Sequence, residues 1–294
     1  MINKSTINKY VRNREGRDAK IWERLKADYE YLSKTHEVLG VFLFGSQNYE
    51  TDLPGSDIDV KAIVMPPIQS LLLFSGEVKE THKRDNGELT VFDIRSMHNY
   101  IKKVNVNFLE ILFTDFKIIN PKYKDVWGEM IVLREDIAYH NKRAAMECLF
   151  GCAMNKLEKI FKRLPSNEDK IDKVGYDYKA LADVHRFHHM MLNYEKHLKY
   201  EELLIPYIPF ESTRYDVLMK IKSCDYVYED LDQLRKEVST LEANIKYYMD
   251  QYREKRPAKC DETVLLIIDS ITENCLKAYI NERCYQERWP VLSY

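Results

Sequence analysis

The 294-residue sequence predicts an α+β fold, a mixed sheet flanked by helices and followed by a mostly helical half. Three observations predict it. Short apolar runs bounded by turn formers crowd the first third of the chain, and a hairpin signal lies among them. From about Lys122 onward, apolar residues recur at helical spacing almost throughout. The division this implies is a first domain over 1–120 and a helical domain over 121–294.

In chain order, residues 1–18 are polar and basic and read as a loose arm. Ile21, Leu25, Tyr29 and Leu32 form the stripe of a helix from Lys20 to Thr35, with Asp18 as its N-cap. Val41–Phe44 suits a buried strand that ends at the turn Gly45-Ser46. The segment QNYETDLPGS is an exposed loop by its Asn48, Asp52, Pro54, Gly55 and Ser56. A second strand follows from Asp57 to Val64. Alternate side chains of a strand share a face, so Asp57 and Asp59 point one way and Ile58 and Val60 the other. Pro66 and Pro67 end that strand and open a short helix in IQSLLLF.

Val78–Lys83 and Glu88–Ile94 flank the turn Asp85-Asn86-Gly87 as a hairpin. Its second strand carries Asp93 between Phe92 and Ile94; if it lies beside the Asp57/Asp59 strand, three carboxylates converge. A helix from Ser96 to Val104 would take Ser96 as its cap, whereas the periodicity of NFLEILFTDFKIINP fits strand and helix equally. Helices are then predicted over Val126–Leu133, Ala144–Phe161, Ala180–Leu198, Tyr215–Ile221, Leu231–Tyr252 and Thr263–Ile280, with LPSNEDKIDKVGY, IPYIPF and REKRPAK as breaks.

Composition excludes several classes. Lys+Arg 45 against Asp+Glu 47 gives a formal charge of -2, so the chain as a whole is no general polyanion binder, although a local basic face is compatible with it. The longest apolar runs, such as Val264–Ile268, are too short to span a bilayer and the N-terminus has no apolar signal core, which predicts a cytoplasmic protein without membrane contact. The six cysteines contain no CxxC, and the Cys148/Cys152 pair reads as core packing on one helix face. His185, His188 and His189 lack a fourth ligand for zinc. The 21 tyrosines read as packing.

Chemistry concentrates between Val41 and Lys61. Two carboxylates side by side on an apolar strand repel and resist burial unless a cation or a wet cleft accompanies them. A hard divalent cation suits them, since Mg²⁺ takes one or two carboxylates and completes its shell with water and substrate phosphates. Gly45 and Ser46 offer backbone N–H groups and a hydroxyl to such phosphates.

Gly45-Ser46, the loop, Asp57-Ile58-Asp59 and the later Asp93 together resemble the nucleotidyltransferase superfamily of DNA polymerase β. FGSQNYETDLPGSDIDVKAIVMPP, NVNFLEILF and GYDYKALADVHRF look like its bacterial and phage branch of RNA-repair-pathway polymerase-β-like proteins. Asn48 and Glu50 depart from that branch, which has a small residue before the tyrosine and glycine after it. The resemblance implies a polymerase-β-like palm and an EC 2.7.7-type transfer of NMP from NTP, ATP foremost, to an acceptor hydroxyl with release of pyrophosphate. Two Mg²⁺ ions, replaceable by Mn²⁺, would be bound by Asp57 and Asp59, with Asp93 completing one of them. Gly45, Ser46, Asn48 and Tyr49 would form the nucleotide loop, with Lys179 and Arg186, seven residues apart on one helix face, on the phosphates. Tyr176 and Tyr178 would be available to stack on a base. The acceptor implied is an RNA end; the alternatives are a small molecule or a protein side chain, or a silent nucleotide-sensing module. Oligomeric state is left open.

Overall fold

A computed structural model describes residues 14–73, 76–196, 199–204, 212–225, 227–228, 230–256 and 259–286. Helix α1 (Arg14–Leu32) leads into strand β1 (Val38–Phe44), a 3₁₀ turn (Gly45–Gln47) and β2 (Asp59–Val64). Then come α2 (Ile68–Leu72), the hairpin β3 (Lys79–Arg84) and β4 (Gly87–Asp93), α3 (Ile94–Lys102), α4 (Val106–Leu109) and β5 (Lys117–Ile119). Every later element is helical: α5 (Lys124–Val132), α6 (Arg134–Tyr139), α7 (Lys142–Leu157), α8 (Glu168–Val174), α9 (Tyr178–Asn193), α10 (Tyr200–Leu204), α11 (Ser212–Lys222), α12 (Leu231–Lys255) and α13 (Glu262–Gln286).

The five strands form one mixed sheet in the order β3-β4-β2-β1-β5. Only the β2–β4 pair is parallel, with Val60 opposite Leu89 and Val64 opposite Asp93. One sheet face packs Val41, Leu43, Val60, Ala62, Leu89 and Val91 against Ile21, Leu25 and Leu32 of α1. Burying such side chains is worth roughly 2 kcal/mol each, which fixes α1 on that face. The opposite face contributes Leu39, Phe42, Ile63 and Phe92 to a larger cluster that continues without a break through α7 and α9 to Ile268 and Tyr279 of α13. Sheet and helices therefore share one core across position 120. Among the described residues, no helix is long and apolar enough to cross a membrane.

Several local expectations are corrected. Helix α1 already runs at Arg14, so residues 14–18 are helical and Asp18 lies inside the helix, not at its cap; the rest of the expected arm falls outside the described residues. LPSNEDKIDKVGY contains α8, which Gly175 closes in the left-handed conformation at φ 83°. The cap of α3 is Asp93, not Ser96: the carboxylate accepts from the N–H groups of Arg95 and Ser96. Alternation along β4 shows an acid after Phe92 but not that the strand stops there and a helix begins.

Candidate active site

Asp59 begins β2 and Asp57 stands two residues before it in the loop, exposed where Asp59 is half-buried. Two glycines shape the ground around the Asp59 carboxylate. Gly45 (φ +77°) leaves room where a Cβ would lie 3.4 Å from Oδ2, and Gly87 (φ +97°) where a Cβ would lie 3.0 Å from Oδ1 and 2.6 Å from the Ile58 carbonyl. Both positions need the left-handed backbone that only glycine adopts freely. The Glu88 N–H donates to Asp59 Oδ1 at 3.1 Å. Burial raises the Asp59 carboxyl above its ordinary pKa; the Glu88 N–H opposes this, the charges of Asp57 and Glu88 add to it, and Arg24 opposes it.

Asp93 is not part of this cluster. Parallel register puts it beside Val64 at the far end of β2, whereas one step back from Val60–Leu89 brings Glu88 level with Asp59. Five residues of strand separate Glu88 from Asp93, roughly 16 Å at the usual rise. Asp93 is fully buried and already occupied: besides capping α3 it accepts from the Val78 N–H at 2.9 Å and pairs with Arg95 at 2.6 Å. The third carboxylate near Asp57 and Asp59 is Glu88. Sequence reasoning missed it because the acid at a strand start, next to the hairpin turn, looks like turn polarity.

Asp59 and Asp57 face a cleft of ≈ 1030 Å³ between the sheet and helices α7, α9 and α11. Ser46, Tyr49, Lys179 and Arg186 line it, as does Gly45. Asn48 does not; its N–H turns back to the Gly45 carbonyl at 3.0 Å. Tyr176 is wholly buried against Tyr228, and neither it nor Tyr178 lines the cleft. Arg186, 8% exposed, lays its guanidinium 4.3 Å from the centroid of the Tyr49 ring.

Two residues that escaped sequence reasoning hold the Gly-Ser turn. Lys61, on the same face of β2 as Asp59, bonds Glu110 Oε1 at 2.7 Å, and Glu110 Oε2 accepts the Gly45 N–H at 3.3 Å. Tyr49 bonds the same carboxylate, and burial followed by that negative charge pushes its phenol well up. The Gly45 N–H is thus turned inward to Glu110. Ser46 beside it lines the cleft.

The loop after the turn is gripped from both sides. Arg17 of α1 donates to the Gln47 side chain at 2.8 Å and to its carbonyl, and pairs with Asp52 at 3.4 Å. From α11, the Tyr215 hydroxyl donates to the Glu50 carbonyl at 2.6 Å and Lys222 to Thr51 Oγ1 at 3.2 Å. Burial pushes the Lys222 ammonium down to about 8, with Asp183 and Asp52 opposing and Arg186 and Lys179 assisting. Asp183 also pairs with Lys156 of α7 at 2.5 Å. Burial works to raise the Asp183 carboxyl, yet Arg186, Lys156 and Lys222 around it outweigh that and hold it below its usual range. Cations therefore outnumber anions on this wall, opposite the acidic rim.

All the donors at Asp57, Asp59 and Glu88 are carboxylate oxygens, the chemistry of a hard divalent cation. Burial first, and the charges of Asp57 and Glu88 after it, raise the Asp59 carboxyl, and a cation bound there would relieve both. Among the described residues no three His, Cys, Asp or Glu side chains already enclose a single point. His185, His188 and His189 likewise form no metal group.

Residues 19–133 match the nucleotidyltransferase domain family. No curated protein gives a match. A crystal structure of a nucleotidyltransferase-like protein from Exiguobacterium sibiricum 255-15 is similar over 79% of this chain and 75% of its own, at 12% identity and a TM-score of 0.31, a likeness too loose to carry any residue role across.

Proposed function

We propose, from the match of residues 19–133 to the nucleotidyltransferase domain family, that the chain is a polymerase-β-like nucleotidyltransferase, a Mg²⁺-dependent EC 2.7.7-type enzyme of the cytoplasm that moves an NMP from an NTP, ATP foremost, to an acceptor hydroxyl. The observation that carries this reading is the cleft itself, with paired aspartates on one rim and a surplus of cations on the opposite wall. Asp57 and Asp59 would hold the divalent ions, with Glu88 in the place expected of Asp93. Bound there, the ions neutralise phosphate charge and lower the pKa of the attacking hydroxyl. Ser46, Lys179, Arg186 and Lys222 orient the triphosphate, Lys156 adds charge beside it, and the 121–294 half completes the cleft. Positioning and charge neutralisation are what phosphoryl transfer chiefly needs.

An RNA end is the acceptor we favour, in repair or modification. Lys159, Lys170 and Lys179 line the same cleft and would follow a phosphate backbone leaving it. Transfer to a small molecule or a protein side chain is the rival, favoured by the formal charge of -2.

Incubation with each labelled NTP, Mg²⁺ and total RNA should release pyrophosphate and label RNA, and Asp59→Asn should lower the rate at least ~10³-fold. Label on protein or on a small molecule would move the acceptor to the rival class, and release unchanged in the Asp57→Asn/Asp59→Asn double variant would remove the site. Stability should move the other way from activity. A carboxyl whose folded pKa is raised stabilises only below that pKa, so its ionised form costs stability at neutral pH. Apo Asp59→Asn should therefore melt higher than apo wild type, and Mg²⁺ should raise the melting temperature of wild type alone.

A further inference from the structure

The hairpin turn that carries Glu88 to Asp59 is held from the sheet face opposite the cleft. Asp28 of α1 is buried with no exposure, and its two oxygens take one arginine each, Arg24 Nε at 2.6 Å and Arg84 Nε at 2.8 Å. Arg84 ends β3 and lies over the Tyr31 ring, 4.7 Å from its centroid. Arg24, its side chain 10% exposed, goes further and donates from Nη1 to the Asn86 carbonyl at 2.6 Å. Its remaining nitrogen, Nη2, is buried with no hydrogen-bond partner among the described residues. A buried donor left without an acceptor costs stability, so the side chain takes its direction from the two acceptors it does meet, at the expense of the third.

That bond falls where the turn has least of its own to hold it. Asp85 and Asn86 are the central residues between the paired Arg84 and Gly87. A two-residue hairpin loop matches the twist of its strands when its first or both central residues take positive φ, and neither Asp85 nor Asn86 does. The turn must nevertheless sit closely. Gly87 packs against the Ile58 carbonyl, and the next residue, Glu88, gives its N–H to Asp59 Oδ1 at 3.1 Å. The Asn86 carbonyl belongs to the peptide unit that leads into Gly87, so fixing it fixes the approach of both residues to the head of β2.

We propose that Arg24, aimed by Asp28, is a positioning residue for the metal-binding carboxylates: it fixes the Asn86 carbonyl and so keeps Glu88 beside Asp59. Arg24 does not line the cleft, so it acts through the turn and not on the substrate. A guanidinium suits the task because one planar group meets a carboxylate and a carbonyl at once. A lysine ammonium carries the same charge on a single nitrogen and cannot span both. Groups that orient metal ligands from outside typically change metal affinity about 10–100-fold when they are lost. The part assigned to Glu88 rests on the nucleotidyl-transfer reading; the fastening of the turn does not.

Amide hydrogen exchange on the full-length protein, resolved at Glu88, tests the fastening, and Mn²⁺ titration followed by the paramagnetic resonance of the free ion tests its consequence. In Arg24→Lys the Glu88 N–H should exchange at least ~10-fold faster than in wild type, with the amides of β1 unchanged. Lysine keeps the positive charge that Arg24 places near Asp59, so the comparison reads geometry, not charge. Mn²⁺ should bind that variant ~10-fold more weakly. Arg84→Lys gives up the other half of the buried pair and leaves the Arg24 bond to the turn in place, so its Glu88 exchange should stay near wild type. Should Arg24→Lys fail to fold, Arg24→Met, read by exchange alone, carries the same expectation. Unchanged Glu88 exchange, equal acceleration in Arg24→Lys and Arg84→Lys, or unchanged Mn²⁺ affinity at a site that Asp57→Asn/Asp59→Asn abolishes would overturn the proposal. Mn²⁺ binding that survives in that double variant would instead remove the metal site while the exchange result stood, so the two ideas fail separately.

Discussion

Asp93, which spacing along the chain places with the aspartate pair, lies at the far end of the strand, and Glu88 stands level with Asp59 instead. Asp93 closes a helix end and neutralises Arg95 with no exposure at all, so Asp93→Ala should remove a cap and one ion pair while Arg95 keeps its bonds to Ser70 and the Gly76 carbonyl, at a cost of about 2 kcal/mol in denaturant melts. Transfer by the protein that remains folded should persist. Glu88→Gln should do the reverse, lowering transfer while stability holds; the opposite pattern would return Asp93 to the metal. Lys222 carries a pH dependence whose sign follows from its lowered pKa. Between about 8 and the ordinary lysine value near 10.4 the unfolded chain holds the extra proton, so stability rises with pH across that window. Lys222→Met should accordingly melt higher than wild type at neutral pH, lose that advantage toward the alkaline end, and raise the KM for NTP about 10-fold if the ammonium meets phosphate. At this scale the aspartate pair was legible because two acids at the head of an apolar run are chemically conspicuous, although the strand itself begins only at Asp59. Lys61 and Glu110 were not, because each looks ordinary until the fold brings the two within 2.7 Å.

The loop from Gly45 to Ser56 is the element on which the site turns. Its departure from the resembling branch, Glu50 for glycine, sits at φ 56°, so the backbone keeps the left-handed form with a side chain that disfavours it. Tyr215 from α11 and Arg17 from α1 fasten the loop on either side of that residue and hold the conformation. Glu50→Gly should relieve the strain and, after the entropy glycine adds to the unfolded chain, raise stability by about 0.5–1 kcal/mol; a loss would mean that Glu50 side-chain contacts outweigh the backbone cost. Strands β1, β2 and β4 follow their apolar residues and β3 the hairpin turn beside it, and helices α5, α7, α9, α11, α12 and α13 follow their periodicity to within a few residues, whereas α6, α8 and α10 lie outside the predicted helices. Ends were misread wherever a side chain's hydrogen bond decided them, as at Asp93.

The whole molecule is a sheet with α1 on one face and a helical mass on the other, the second face sharing one apolar cluster from Leu39 to Tyr279. That continuity lets helices from distant parts of the chain furnish the cation wall of a cleft whose acidic rim belongs to the sheet. Lys222 lies more than 160 residues from Asp59 in sequence, and nothing local to either announces the other. The sequence by itself determined the α+β class, the paired aspartates and the glycine turn, since each depends on residue type and short-range spacing. Tertiary structure alone decided which third carboxylate stands near Asp59, which cations face it, and that Arg24 of α1 reaches the hairpin turn beside it. Those facts depend on strand register and on the rotation of helices about their axes, which long-range packing sets and which a one-residue slip would undo.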